Sequence, residues 1–396
     1  MASIISIPAT SPSNRQTERA ADAGRSAGRF TSPHVLMVTP RYLPHIGGVE
    51  RHVDQVAQHL VERGLRITVL TTDPTGELPQ RDTIDGVSVR RVPAWPPERD
   101  YYFAPRIYTH VARGTWDVVH VQSFHTFVAP LAMLAARRSR IPYVVTFHAG
   151  GHSSRFRNTI RPLQFTLIRP LLAGAARLIA LTGFEIEQYS RRLHLPLDNF
   201  ALIPNGSDLG GVLIPENKPR EPSLIASLGR VERYKGHHHV IAALPHVLRR
   251  RPDARLWVVG SGPYEGALRQ LADSLGVADR VEIRAVPLAE RQRLADELSR
   301  VKVAVSLSEF ETQPIAVLEA LALGCRVVVA ETPGLSALVD EGLARPVPFK
   351  CPPEQVAAAV LDELERLPVE QPPKLSSWDD CAEQLLEVYR TVSARG

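Results

Sequence analysis

The strongest constraint on the fold is a repeated alternation of short apolar runs with segments of helical periodicity, which begins at His34. The apolar runs are rich in valine, isoleucine and leucine, which indicates strands buried on both faces, as in a parallel sheet. Residues 49–63 carry an apolar stripe at helical spacing, and Gly64 follows as a C-terminal cap. The pattern predicts an α/β protein built from βαβ units.

The alternation comes in two series, separated by a stretch rich in glycine, proline and serine. The first series predicts strands over residues 34–40, 66–72, 87–92, 117–122, 142–148, 177–182 and 200–205. The second predicts strands over residues 223–231, 254–260, 280–285, 303–308 and 325–331. Two such series predict two doubly wound, Rossmann-like domains with a cleft between them, and ligands bind such folds at the carboxyl ends of the strands.

These elements divide the chain into five predicted parts. They are a disordered tail (1–32), a first domain (33–206), a hinge (207–222), a second domain (223–375) and a closing helix (376–396). The closing helix has one apolar face, which needs a partner in one of the two domains.

Composition excludes several classes of protein. No run of 18 apolar residues is present, which argues against a transmembrane helix, and the three cysteines form no CxxC pair, which argues against a disulfide framework or a thiolate zinc site. We therefore expect a cytoplasmic protein. The net charge of +5 suits an anionic ligand or a peripheral contact with an anionic membrane, and is too small to indicate nucleic acid.

Residues 311–324 combine helical periodicity with two carboxylates. Pro314 fits the first turn of a helix and Gly324 its end. Glu319 falls on the apolar stripe, where a carboxylate is costly unless it has a hydrogen-bonding partner. Glu311 lies just before the helix. The two carboxylates could bind ligand hydroxyls, or they could cap the helix and bond a neighbouring loop.

Residues 228–236 end the first strand of the second domain and open a helix. Gly229 permits a tight turn there. Arg230 and Lys235 flank that turn, and two cations so placed could hold a diphosphate. Taken alone, the pair could equally be surface charge.

Two weaker signals lie in the first domain. Gly47 and Gly48 precede a predicted helix, where exposed backbone N–H groups can face an anion, although two glycines can also be only a tight turn. His148 ends a predicted strand, so that its ring could reach the cleft or fill a structural position.

Two further patterns resemble sites but are weak evidence for them. His237, His238 and His239 point about 100° apart on a helix, so one metal ion cannot use them all. The glycine loop of residues 260–266, with acidic Glu282 beyond it, resembles a dinucleotide loop, and a nicotinamide-dependent oxidoreductase stays open on that basis.

Together these segments resemble the retaining family 4 (group 1) glycosyltransferases of the GT-B fold. Six motifs occur in the family's order, and in this chain they read GGVERHV, TFHAGG, IPNGSD, GRVERYKG, VVGSGP and ETQPIAVLEALALG. The last segment, SWDDCAEQLLEVYR, resembles the family's closing helix, which returns to the first domain. The resemblance covers nearly all of the chain after the tail.

The resemblance implies an enzyme of polysaccharide biosynthesis that moves a sugar from a nucleotide-sugar donor to an acceptor with retention of anomeric configuration. It implies no cofactor and no metal ion, and the acceptor would be a glycan, a lipid-linked glycan or a small molecule. An anionic membrane surface, at the inner face of the cell membrane, is kept as a further candidate partner, and nucleic acid is not expected.

The resemblance also assigns roles to residues. The catalytic set would be His148 near the donor sugar, Arg230 and Lys235 on the diphosphate, and Glu311 on the sugar hydroxyls. The donor-binding set, with Glu319 on the ribose, would be Gly47, Gly48, Asn205, Gln313, Pro314, Ile315 and Glu319.

This chain departs from the family where Thr312, Gln313 and Pro314 follow Glu311, since glycine and phenylalanine are usual there. The departure leaves the donor sugar open more than the reaction. A different reaction on the same fold, such as epimerisation or phosphorolysis, and a non-catalytic nucleotide-sugar-binding protein also stay open. The aromatic loop of residues 95–103, and likewise Phe124 and His125, could stack on the sugar rings of an acceptor or could equally pack on their own domain. The basic segment 155–161 could meet a lipid phosphate or a membrane surface.

Overall fold

The protein folds into two α/β domains, each built around its own sheet. The computed structural model describes residues 32–45, 47–96, 102–148, 155–207, 209, 212–213, 220–287, 290–367, 369 and 372–394, without the side chains of 155–163. The predicted tail, apart from its last residue, and the side chains of the basic segment 155–161 lie outside this description.

The first domain holds an eight-stranded sheet with the order β3-β4-β2-β1-β5-β6-β7-β8. Its strands are β1 (His34–Val38), β2 (Arg66–Asp73), β3 (Arg81–Ile84), β4 (Val87–Pro93), β5 (Val118–Gln122), β6 (Tyr143–Thr146), β7 (Arg177–Ala180) and β8 (Phe200–Leu202). Neighbours are parallel except for the antiparallel pair of β3 and β4. The central strands are buried on both faces, as the continuous apolar runs predicted.

Helices cover both faces of this sheet. They are α1 (Gly48–Glu62), α2 (Arg106–Arg113), α3 (Val128–Arg138), α4 (Arg155–Leu172) and α5 (Gly183–Leu193), and a 3₁₀ turn follows at Leu197–Asn199. Gly64, with φ of +83°, donates its N–H to the carbonyl of Val61 and ends α1 as the sequence predicted.

The second domain holds a six-stranded parallel sheet with the order β11-β10-β9-β12-β13-β14. Its strands are β9 (Leu224–Leu228), β10 (Arg255–Val259), β11 (Val281–Arg284), β12 (Val303–Ser306), β13 (Arg326–Ala330) and β14 (Arg345–Val347). Its helices are α6 (His237–Leu248), α7 (Glu265–Ser274), α8 (Arg291–Leu298), α9 (Ile315–Ala322), α10 (Ser336–Asp340) and α11 (Pro353–Glu365), with 3₁₀ turns at Arg233–Lys235 and Ala278–Arg280.

The last helix, α12 (Trp378–Ser393), returns from the second domain and packs on the first. Trp378, Leu385 and Tyr389 are fully buried in the apolar cluster that also holds α1 and β1. Ser377 and Asp380 form a capping box that fixes where the helix begins. The apolar face predicted for this segment therefore meets the first domain.

Two short strands were missed by the sequence analysis. β3 alternates between exposed and half-buried residues, and β14 spans only three residues at the sheet edge, so neither carries a continuous apolar run.

Pro314 lies one position earlier than predicted, at the N-cap of α9, with φ of −80° and ψ of 92°. The domain boundaries at residues 206, 222 and 375 stay predictions. No helix in the described part of the chain is long and apolar enough to cross a bilayer.

Candidate active site

A buried ion pair joins two loops at the carboxyl edge of the second sheet. Lys235 Nζ lies 2.5 Å from Glu311 Oε1, and both side chains are only 14% exposed. Ser308 Oγ donates a second hydrogen bond to the same carboxylate oxygen at 2.8 Å. Burial works to lower the pKa of Lys235, but Glu311 and Tyr234 together outweigh it and the pKa is raised, so Lys235 is charged at neutral pH.

Arg230 lies beside this pair on the turn after β9. Gly229 makes the turn with φ of +126°, which disfavours any residue with a Cβ. The guanidinium donates to the hydroxyl of Tyr234 at 3.0 Å and pairs with Glu232 at 2.8 Å, and its side chain is 43% exposed. Burial works to lower the pKa of Arg230, whereas Tyr234, Glu232 and then Glu50 of the first domain raise it.

Close backbone packing holds this turn in place. A Cβ on Gly260 would lie 2.1 Å from the carbonyl oxygen of Gly229, and one on Gly262 would lie 2.4 Å from that of Val231. The N–H of Val231 donates to the carbonyl of Ser261 at 2.9 Å. The glycine loop that resembled a dinucleotide site therefore supports the Arg230 turn, and Glu282 pairs with Arg284 at 2.6 Å instead of standing free for a ribose.

Glu319 projects from α9 and is 5% exposed, as its place on the apolar stripe predicted. Its carboxylate is paired with Arg291, the first residue of α8. This pair corresponds in part to the alternative in which Glu319 bonds a neighbouring element. Arg291 was missed from the sequence because nothing in the segment around it signals a partner for a carboxylate 28 positions away.

On the first-domain side, His148 is 8% exposed at the carboxyl edge of the sheet. Its Nε2–H donates to Gln122 Oε1 at 2.8 Å, and its ring lies 4.8 Å from the ring of His52, centre to centre. Burial, with smaller contributions from His52 and His120, holds the pKa of His148 well below its usual range. The ring is therefore neutral at pH 7, with Nδ1 as its acceptor atom.

A chain of hydrogen bonds connects the two sides. The N–H of Asn205 donates to Gln313 Oε1 at 2.6 Å, and His52 Nδ1 donates to Asn205 Oδ1 at 2.7 Å. Gln313 thus ties the loop after Glu311 to the first domain. The adjacent Ile315 packs its side chain into the apolar cluster of the first domain.

The glycines of the first domain lie at the amino end of α1. Gly47 is the N-cap, and Glu50 folds back so closely that a Cβ on Gly47 would lie 2.3 Å from Glu50 Oε2. Arg41 pairs with Glu50 at 3.2 Å. A Cβ on Gly48 would meet nothing within 4 Å, so this end of the helix is open.

The structure thus places most of the predicted residues at the carboxyl ends of the two sheets, and Phe124 is an exception. Phe124 is fully buried against Phe147 and Tyr189 in the core of the first domain, so of its two alternatives packing is the one that the structure shows. His237 is buried and bonds Ser227 and the carbonyl of Arg230. Within the described ranges, no group of three or more His, Cys, Asp or Glu side chains could hold a metal ion.

Sequence reasoning also missed Ser308, Gln122 and His52. Gln122 ends β5 and Ser308 lies two residues beyond the end of β12, and polar residues at that edge are a usable signal. His52 reads as an ordinary helix position, so only the fold reveals its contact with Asn205.

This architecture is that of the GT-B class of glycosyltransferases, in which two Rossmann-like domains face each other across a cleft. Sucrose-phosphate synthase from Thermosynechococcus elongatus has the same fold, with a TM-score of 0.74 at 19% identity over 92% of this chain and all of that one.

The chain belongs to the group 1 glycosyltransferases of family 4. Residues 46–210 match the model "Glycosyltransferase Family 4", and residues 214–376 match "Glycosyl transferases group 1". It is 29% identical to the D-inositol 3-phosphate glycosyltransferase of Nocardiopsis dassonvillei, over 88% of this chain and 90% of the relative. It is also 29% identical to the phosphatidyl-myo-inositol mannosyltransferase of Mycolicibacterium smegmatis, over 91% and 94%. The protein is therefore an enzyme that transfers a sugar from a nucleotide-sugar donor.

Acidification from pH 7 to pH 5 is expected to destabilise the protein through its buried histidines. Burial lowers the pKa of His52 to about 4 and that of His120 to about 3, and lowers that of His148 as well. The unfolded chain takes up these protons near pH 6.5 and the folded chain does not. The free energy of unfolding should therefore fall below pH 6.5, by about 2 kcal/mol per histidine at pH 5. Urea denaturation at both pH values measures it.

The variant His120→Gln provides the comparison. The fall in its free energy of unfolding between pH 7 and pH 5 should be smaller by the contribution of one histidine, whatever the stability of the variant at pH 7. An unchanged pH dependence in this variant would contradict the assignment.

Proposed function

We propose that the enzyme transfers its sugar with retention of configuration, without a metal ion, to a hydroxyl group of a phosphate-bearing acceptor. The observation that carries the proposal is the Lys235–Glu311 pair with Arg230 on the turn beside it. Neutral His148 lies on the first-domain side, where His52 and Asn205 connect it to the loop after Glu311. A nucleotide sugar needs cations to bind its diphosphate, and carboxylates and a neutral hydrogen-bond acceptor to bind its hydroxyl groups.

The two cations would bind the diphosphate of the donor. Arg230 is half-exposed on a turn that glycine packing holds rigid, and Lys235 is fixed by Glu311 and by its stem against Gly229. Preorganised cations stabilise charge as it develops on a leaving group. Together they would supply the positive charge that a metal ion supplies in other transferases.

The two carboxylates would bind hydroxyl groups of the nucleotide-sugar donor. Glu311 is held in place by Lys235 and Ser308, so its carboxylate would accept hydrogen bonds from the donor sugar. Glu319, oriented by Arg291, would accept from the ribose. His148, whose Nε2–H is used by Gln122, would present Nδ1 to a hydroxyl of the donor sugar.

Retention would follow from a reaction on one face of the sugar. The bond from the anomeric carbon to the diphosphate oxygen breaks, and the bond to the acceptor oxygen forms on the same face. The acceptor's proton passes to the departing phosphate. Glu311 Oε1 is already engaged by Lys235 and Ser308, which supports a binding role for this carboxylate over a nucleophilic one.

The acceptor would lie against the first domain and carry a phosphate. The two relatives named above act, by their names, on inositol 3-phosphate and on phosphatidyl-myo-inositol. The amino end of α1 at Gly48 offers backbone N–H groups to such a phosphate, which would take the place beside Gly47 that the Glu50 carboxylate, paired with Arg41, occupies.

A peripheral membrane contact is the accompanying proposal. Trp95, Phe103 and Phe127 are each about half exposed, and Trp95 and Phe103 bond each other through their backbones next to Phe127. They follow β4 and β5, at the same edge of the sheet as the cleft. Aromatic rings of this kind suit a membrane interface, from which a lipid-linked acceptor could be reached.

Nucleoside diphosphates are expected to raise the melting temperature, and Glu319→Gln should reduce the effect. Because a hydrogen bond to a charged group contributes about 1.5–3 kcal/mol, the affinity should fall about tenfold or more. A thermal-shift titration with UDP, GDP, ADP and dTDP measures it, with NADH as the alternative ligand. The exposed variant Glu341→Gln is the control. A shift by NADH alone would favour the oxidoreductase.

Lys235→Met should lower kcat by about 100- to 1000-fold, as loss of a preorganised charge does at other sites. Initial rates with the donor found in the thermal-shift panel measure the change. Lys350→Met, at an exposed lysine outside the cluster of Arg230, Lys235 and Glu311, should keep the wild-type rate. Equal rates in Lys235→Met and wild type would show that Lys235 does not contribute to catalysis.

The product should have the same anomeric configuration as the donor. Proton NMR of the product, read early in the reaction, reports the configuration directly. An inverted product would contradict retention. A covalent glycosyl-enzyme, sought by mass spectrometry of the denatured protein, would contradict reaction on one face without a protein nucleophile.

A further inference from the structure

A second cavity lies in the first domain at the edge of the sheet opposite the cleft. It has a volume of about 710 Å³. The amino ends of β6, β7 and β8 form its floor, the end of α3 forms one side, and the last turns of α12 form the other. Its size falls within the range of about 300–1,000 Å³ that is usual for small-molecule sites.

The lining is strongly cationic on one side. Arg137, Arg140 and Arg177 line it against a single carboxylate, Glu387. Arg137 and Arg177 each donate to a backbone carbonyl, which holds the side chain without neutralising it. Within the described part of the chain, none of the three arginines has an ion-pair partner.

The backbone of Arg140 has an unusual conformation. It has φ of +56°, in the left-handed region that glycine and asparagine occupy more readily. The turn that ends α3 there would form more easily with glycine. An arginine at this position costs stability, which is consistent with a use for its side chain.

The rest of the lining is apolar. Tyr143, Phe200, Val388 and Val392 give the cavity an apolar wall beside the arginines. A ligand that satisfies both parts must carry an anionic group on an apolar body. We propose that this cavity binds an organic phosphate of that kind, either a free aryl or alkyl phosphate or the headgroup of an anionic lipid.

This site is separate from the cleft. No residue of its lining belongs to the set that surrounds Lys235, Glu311 or His148, and the two sites lie at opposite ends of the parallel strands. A ligand here should therefore bind together with a nucleotide, and the proposal does not depend on the reaction assigned to the cleft.

Titration calorimetry with 1-naphthyl phosphate on the full chain tests the proposal, in the presence and absence of saturating nucleoside diphosphate. Wild type should bind one equivalent in both conditions. Arg140→Gly should keep or raise the melting temperature, because it relieves the left-handed backbone, and yet bind at least about tenfold more weakly. Arg138→Gly, which alters an exposed arginine outside the lining, should bind as wild type does.

Three results would overturn the proposal. They are no saturable binding, equal affinity in Arg140→Gly and wild type, and displacement by the nucleoside diphosphate. Inorganic phosphate should bind more weakly than 1-naphthyl phosphate. Equal affinity for the two would show that the apolar wall does not contribute to binding. Sedimentation with phosphatidylglycerol vesicles distinguishes the sources. Capture that is lost in Arg140→Gly identifies a lipid headgroup, and 1-naphthyl phosphate binding without capture identifies a free organic phosphate.

Discussion

The docking of α12 onto the first domain is the interaction on which the arrangement of this molecule depends. The helix follows the second domain in sequence but buries Trp378, Cys381 and Leu385 in the apolar cluster of the first. Tyr389 adds a polar contact, since its hydroxyl lies 2.6 Å from His120 Nδ1 in a fully buried position. The N–H of Ser207, in the predicted hinge, also donates to the carbonyl of Ser376 just before α12. The end of the chain is therefore held both to the first domain and to the hinge.

The cleft is then built from paired charges. Each functional carboxylate of the second domain meets a cation, Glu311 with Lys235 and Glu319 with Arg291. Such pairs hold side chains in place before a ligand arrives, which reduces the ordering that binding would otherwise require. The first domain adds neutral groups beside its Arg41–Glu50 pair. Burial keeps His52 and His148 uncharged, so the hydrogen bonds of His52 to Asn205 and of His148 to Gln122 join neutral partners.

Much of the fold could be predicted because the signal was local. Continuous apolar runs identified each strand of the two sheets that is buried on both faces, and Gly64 marked the end of α1. β3 and β14 escaped because edge strands need no apolar run. The Lys235 and Glu311 segments were recognised separately from charge and turn chemistry, but their contact at 2.5 Å depends on β9 and β12 being neighbours in the sheet.

The sequence by itself determined the α/β class, the two domains and the side chains that meet at the cleft, because periodicity, glycine turns and motif order are properties of short segments. Only the tertiary structure decided which groups pair. Arg291 with Glu319, and Gln313 with Asn205, are contacts between residues 28 and 108 positions apart that no local pattern encodes. Three further features likewise appear only when distant segments pack together. They are the burial of Phe124, the contact of the glycine loop with the Arg230 turn, and the arginine-lined cavity at the amino ends of β6, β7 and β8.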